Sequence, residues 1–151
     1  MEDQEQHKIK VRLAATDDLT RICEIYSQHF GHTEAPARQW WNILEDNNIT
    51  YIVVEADDRV VGVSSMITIN KLIRSGNRIA LIEDVAVDKS STGMGIGSIM
   101  IEYLQKLAVE RNCYKTILNC SKKNVGFYER LGFYKKEIQF YGLMIILLEL
   151  N

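Results

Sequence analysis

The feature that most restricts this chain is a turn carrying glycine at three alternating positions, Gly93, Gly95 and Gly97, between a strand-like run and a helical run. Upstream, residues 79–88 are mostly apolar and β-branched except for Glu83 and Asp84. Downstream, Ile96, Met100, Tyr103, Leu104 and Leu107 recur at helical spacing. Glycine reaches left-handed conformations without a Cβ clash and lets other groups approach the backbone. Residues 90–98 therefore bring N–H groups to the start of a helix, where the dipole favours an anion. A diphosphate fits such a turn; the plainer alternative is a tight connection that needs glycine only for its conformation. No Gly-Lys-Ser/Thr closes the motif, which excludes a P-loop. Ser98 stands where a dinucleotide fingerprint counted from Gly93 has its third glycine, which leaves a dinucleotide as a weak alternative.

The rest of the chain supplies alternating strands and helices. Residues 1–8 read as a disordered N-terminal segment ahead of a domain spanning 9–151, and Ile9, Val11 and Leu13 alternate with basic residues as a half-buried strand does. Thr16 reads as the cap of a helix buried through Leu19, Ile22, Cys23, Tyr26 and Phe30. A second helix starts near Pro36, with Trp40, Trp41 and Leu44 inward. Residues 51–56 and 59–69 form a hairpin about Asp57-Asp58. After the glycine helix come a strand over 114–120, a short helix capped by Asn124, and two strands near 133–140 and 143–150. The resulting order is β-α-α-β-β-β-α-β-α-β-β, one α/β domain with a mixed sheet and helices on both faces.

With 151 residues, 46% of them hydrophobic, the chain supports one core and one site. A net charge of −2 leaves no basic surplus for a phosphate backbone, so nucleic acid is not an expected partner. No apolar run is long enough for a membrane span and no signal-like start is present, which predicts a cytoplasmic protein without membrane contact. Three cysteines without a CxxC pair, and histidines on other segments, predict neither a disulfide framework nor a metal site.

At Thr92-Gly93-Met94-Gly95-Ile96-Gly97 the chain resembles the GCN5-related N-acetyltransferase (GNAT) superfamily. There a turn of pattern Gln/Arg-x-x-Gly-x-Gly/Ala, after the fourth strand, holds the pyrophosphate of coenzyme A. Thr92 replaces the usual first residue. The resemblance covers nearly the whole chain and implies a mostly antiparallel central sheet flanked by helices, with acetyl-CoA as co-substrate. Within the superfamily the chain is similar to the glucosamine-6-phosphate N-acetyltransferases. The likeness lies in Ile82-Glu83-Asp84-Val85-Ala86-Val87, Asn112-Cys113-Tyr114-Lys115, Asn124-Val125-Gly126-Phe127-Tyr128, Gly132-Phe133 and Lys71-Leu72-Ile73-Arg74. It departs at Asn119, where that family has a carboxylate touching the sugar, and in lacking any Arg or Lys from Gly142 onward.

Acetyl transfer to an amine needs a neutral amine, donors for the developing oxyanion and a proton for the departing thiolate. The resemblance implies that N–H groups of Val85, Ala86 and Val87 pair with pantetheine and polarise the thioester. It further implies that Thr92, Gly93, Met94, Gly95, Ile96, Gly97 and Ser98 cradle the diphosphate, and that Asn124 lies near the pantetheine arm. Tyr128 is then the general acid; without the resemblance it reads as a packing aromatic. Glu83 and Asp84 point to opposite faces of a regular strand, and only a bulge would bring them together. Two acids in an apolar strand are costly to bury unless paired or functional, so they are candidates for binding the substrate ammonium or accepting its proton. Lys71 and Arg74 are candidates for a substrate phosphate, with Asn119 beside the sugar; two basic residues beside a loop are as often only a solvated surface. Three readings stay open: acetylation of glucosamine 6-phosphate, acetylation of another amine such as an aminoglycoside, polyamine or protein N-terminus, or a coenzyme-A-binding module without turnover. The continuous apolar run 143–148 predicts a homodimer.

Overall fold

The structure, a computed structural model, describes residues 7–136, which fall into two compact units divided after Cys120. The first unit holds β1 (Ile9–Leu13), α1 (Leu19–Phe30), α2 (Ala37–Glu45), β2 (Ile49–Ala56), β3 (Arg59–Ile69), β4 (Arg78–Val87), α3 (Ile96–Glu110) and β5 (Cys113–Leu118). The described part of the second holds a 3-10 turn, Lys122–Asn124, and α4 (Val125–Arg130). Residues 133–136 of the expected strand near 133–140 are not in a strand. Its remainder and the whole apolar run 143–150 lie outside the described residues.

The five strands form one mixed sheet in sequence order, antiparallel from β1 to β4 and parallel between β4 and β5. The parallel pair follows from α3, whose crossover returns the chain to the same end of the sheet. Asp57 and Asp58 both take left-handed φ, 51° and 63°, as a two-residue hairpin turn demands. The end of the N-terminal segment is tied to that turn. The Lys8 N–H donates to Asp57 (3.0 Å) and the His7 ring lies 2.6 Å from the same carboxylate, so residues 7 and 8 depart from the disorder expected of them.

Helix α1 packs on one face of the sheet, where Ile22, Ile25 and Tyr26 join Trp40, Val53, Val63 and Ala86 in a buried cluster. Strand alternation sends Gly62 to the opposite face, where it meets Ile96 and Met100 of α3. Three local expectations are corrected. Thr16 does not cap α1: it opens a 3-10 turn, and the Asp18 carboxylate accepts from the Ala15 N–H (2.7 Å) while Arg12 holds its other side. Trp41 is exposed because its neighbour Trp40 is buried and points its indole N–H at the Ala15 carbonyl (3.2 Å). Adjacent helical residues lie about 100° apart, so one tryptophan must face out. Phe30, at the last turn of α1, is exposed and leans on the Tyr26 ring.

Candidate active site

The glycine turn has the geometry of an anion cradle. Gly93 and Gly95 take φ of 88° and 76°, and nothing lies within 4 Å of where a Cβ would stand on either, so glycine is needed there for backbone conformation. Gly95 is the N-cap of α3, which leaves the N–H groups of Ile96, Gly97 and Ser98 without intrahelical acceptors. The Thr92 hydroxyl donates to the Lys89 carbonyl (3.0 Å) and shapes the entry to the turn, next to Met94. Ahead of it, Asp88 is buried and fastens the turn by accepting from the Ser90 N–H (2.9 Å) and hydroxyl (2.8 Å). Burial alone would push the Asp88 carboxyl up, but the bonds from Ser90 and the charge of Arg21 outweigh it and hold the carboxyl well below the usual carboxylate range.

Strand β4 carries the bulge that the acidic pair requires. Val63 pairs with Ala86 and Ser65 with Glu83, so two β4 residues, Asp84 and Val85, oppose the single Ser64. Asp84 takes φ of 53°, and both the Ser64 and Ser65 hydroxyls donate to the Glu83 carbonyl (3.1 and 3.3 Å), pinning the bulge from β3. Beyond Ile82, paired with Leu118, no residue of β5 follows β4, so the two strands part and, among the described residues, the β4 edge over 83–87 has no strand partner on that side. The Asp88 N–H donates to the Val61 carbonyl (2.8 Å). Antiparallel alternation therefore turns the backbone of Ala86 toward Val63 and that of Val85 and Val87 toward the open edge. Asn119 follows Leu118 and stands where the strands separate.

Glu83 and Asp84 both line a cleft of about 160 Å³, with Tyr51, Ser65, Ile43, Ile49 and Ile67. The bulge thus overrides the opposite-face rule for adjacent strand residues. Partial burial, then the Asp84 charge, pushes the Glu83 carboxyl above the usual glutamate range. The Tyr51 and Tyr26 hydroxyls stand behind the acids, both raised first by burial. Tyr26 is shielded from solvent and faces Tyr51 without a regular hydrogen bond. A carboxylate with a raised pKa is protonated at a higher pH than an ordinary one, so a reaction that needs Glu83 as base loses rate as pH falls through that raised value. The acid limb of kcat/KM is expected above the ordinary glutamate range. Asp84→Asn, which tolerates left-handed backbone, is expected to move it down; an unmoved limb would exclude Glu83 as the titrating group.

Lys71 and Arg74 lie on the exposed connection between β3 and β4, where Arg74 stacks over the Tyr114 ring (5.7 Å). Neither lines the acidic cleft. In the second unit, Asn124 occupies the N-cap position of α4, but its side chain makes no capping bond. Tyr128 is 8% exposed, its ring set edge-on to Phe127 and Phe133 at 4.9 and 5.9 Å between centroids. Among the described residues no group of three or more His, Cys, Asp or Glu is placed to hold a metal, and no helix is long and apolar enough to cross a membrane.

Sequence reasoning missed Gly62, Tyr51 and three α1 residues that bond to the end of β4 and the turn after it, Arg21 to Asp88, Gln28 to Lys89 and His29 to Val87. An isolated glycine inside a strand run was the available signal for the first; the others act across the fold and leave no local pattern.

A splayed, bulged β4 leading into a glycine turn on a helix N-terminus defines an acyl-transfer fold, and the comparisons agree. The sequence model described as the Acetyltransferase (GNAT) family matches residues 15–133, and the chain belongs to that family. It is 36% identical over 115 residues to the glucosamine 6-phosphate N-acetyltransferase of Candida albicans, covering 76% of this chain and 74% of that protein. It is 34% identical over 140 residues to the enzyme of the same name from Trypanosoma brucei brucei, covering 87% and 92%. The crystal structure of glucosamine-6-phosphate N-acetyltransferase from Arabidopsis thaliana superposes with a TM-score of 0.82 at 26% identity, over 91% of this chain and 99% of that one.

Proposed function

We propose that this enzyme transfers the acetyl group of acetyl-CoA directly to the amine of glucosamine 6-phosphate. The observation that carries the proposal is the β4 bulge. It places two acids in one cleft, where they attract an ammonium and take up its proton, immediately before an edge whose Val87 and Val85 N–H groups face the donor side. One such donor to a developing oxyanion is worth roughly 3 kcal/mol of barrier. The first turn of α3, with Gly93 and Gly95, would hold the diphosphate, and Asn124 would meet the pantetheine arm. Tyr128 is assigned the proton delivered to the departing thiolate. In the balanced step the amine nitrogen bonds to the acetyl carbon, the carbon–sulfur bond breaks, the amine proton passes toward Glu83 and a proton reaches sulfur. Named relatives over most of the chain support the phosphosugar as acceptor. Lys71 and Arg74 are assigned to its phosphate and Asn119 to the sugar ring as part of the same proposal. A cytosolic homodimer belongs to the same proposal.

One observation favours a second reading, another amine as acceptor: among the described residues no lysine or arginine lines the acidic cleft. Phosphorylated and unphosphorylated glucosamine, compared as acceptors, decide between the two.

A further inference from the structure

Three side chains of α1 reach three consecutive residues at the end of β4. The His29 Nε2–H donates to the Val87 carbonyl (2.7 Å), Arg21 pairs with the Asp88 carboxylate, and the Gln28 amide oxygen accepts from the Lys89 N–H (2.9 Å). Arg21 also donates to the Val60 carbonyl on β3 (3.0 Å), so the grip is anchored in the sheet. Arg21 and Gln28 are seven residues apart, two helical turns, and so share one face of α1 with His29 beside it. The residues they hold join two parts of the donor site: Val87 is the last residue of the open edge, and Asp88 shapes the glycine turn through Ser90.

We propose that Arg21, Gln28 and His29 are positioning residues for acetyl-CoA, a role that rests on the donor reading above. Each fixes one peptide plane or carboxylate between the thioester-polarising edge and the diphosphate cradle. A ligand bound at both needs the two at a set distance and angle. His29 is the informative member, because it is exposed and bonded to backbone alone. Its loss removes the grip on Val87 without stranding a buried charge.

The test is coenzyme A affinity by calorimetry and steady-state kinetics on the full chain, with His29→Leu and His29→Gln. Glutamine keeps an amide N–H donor near the position of Nε2. His29→Leu is expected to raise the coenzyme A Kd and the acetyl-CoA KM about fivefold to tenfold, the loss of one hydrogen bond's worth of orientation, with the acceptor KM unchanged. His29→Gln is expected to recover most of that loss. A purely structural role would instead lower the melting temperature and the active fraction at constant Kd. An unchanged Kd in His29→Leu, with the wild-type chain binding coenzyme A, overturns the positioning role alone. A wild-type chain that binds no coenzyme A overturns both this role and the donor reading.

Discussion

Tyr128→Phe is expected to lower turnover by about 10²-fold to 10⁴-fold, the usual contribution of a positioned acid or base, while the acetyl-CoA KM changes little. The substitution removes one oxygen and keeps the ring, so the edge-on contacts with Phe127 and Phe133 survive and α4 retains its packing. If Tyr128 protonates the thiolate, the loss falls on the chemical step and appears in kcat. If it is only a packing aromatic, kcat stays near wild type and any change appears as a small drop in melting temperature. Coenzyme A affinity measured alongside separates a lost acid from a displaced helix.

Gly62→Val is expected to damage stability and donor binding together. A Cβ on Gly62 would lie 2.6 Å from Ile96 Cγ2 and 3.2 Å from Met100 Sδ, and the first of these is a branched methyl close to the α3 backbone. The first turn of α3 must therefore shift. Overpacking of this kind costs about 1–3 kcal/mol, or roughly 2–12 °C of melting temperature for a chain this size. That turn carries the N–H groups of the diphosphate cradle, so coenzyme A affinity is expected to fall by at least about tenfold. Gly62→Ala, with a smaller side chain to accommodate, is expected to lie between. A Gly62→Val protein that melts and binds coenzyme A like the wild type would show that α3 does not need this close approach.

These two residues mark what the sequence discloses. Tyr128 and the turn from Thr92 to Gly97 sit in contiguous motifs, and their place on helix or turn is legible residue by residue, whereas the role given to Tyr128 comes from the resemblance alone. The Asp57-Asp58 hairpin is equally local and stands as expected, while the buried face of α3 runs through Ile96, Met100, Ile101, Leu104 and Ala108 and leaves Tyr103 and Leu107 half-buried. The bulge at Asp84 was legible only as a condition, that two adjacent acids share a face if the strand is bulged, because one extra residue is set by pairing with β3. Gly62, Arg21 and His29 were hidden for the same reason: what each does is decided by a segment dozens of residues away, as in the bond from His29 to Val87. Trp41 shows the converse limit, since hydrophobicity marked both tryptophans for the core and helical geometry admits one.

The central claim is the acceptor, and the direct measurement is thiol release from acetyl-CoA with glucosamine 6-phosphate and with glucosamine in parallel, on the wild-type chain and on Lys71→Ala/Arg74→Ala. Fast, saturable release is expected with the phosphorylated sugar, little with glucosamine, and a raised phosphosugar KM in the double variant. Release saturated only by a non-sugar amine, or none with either sugar while coenzyme A binds, would contradict it.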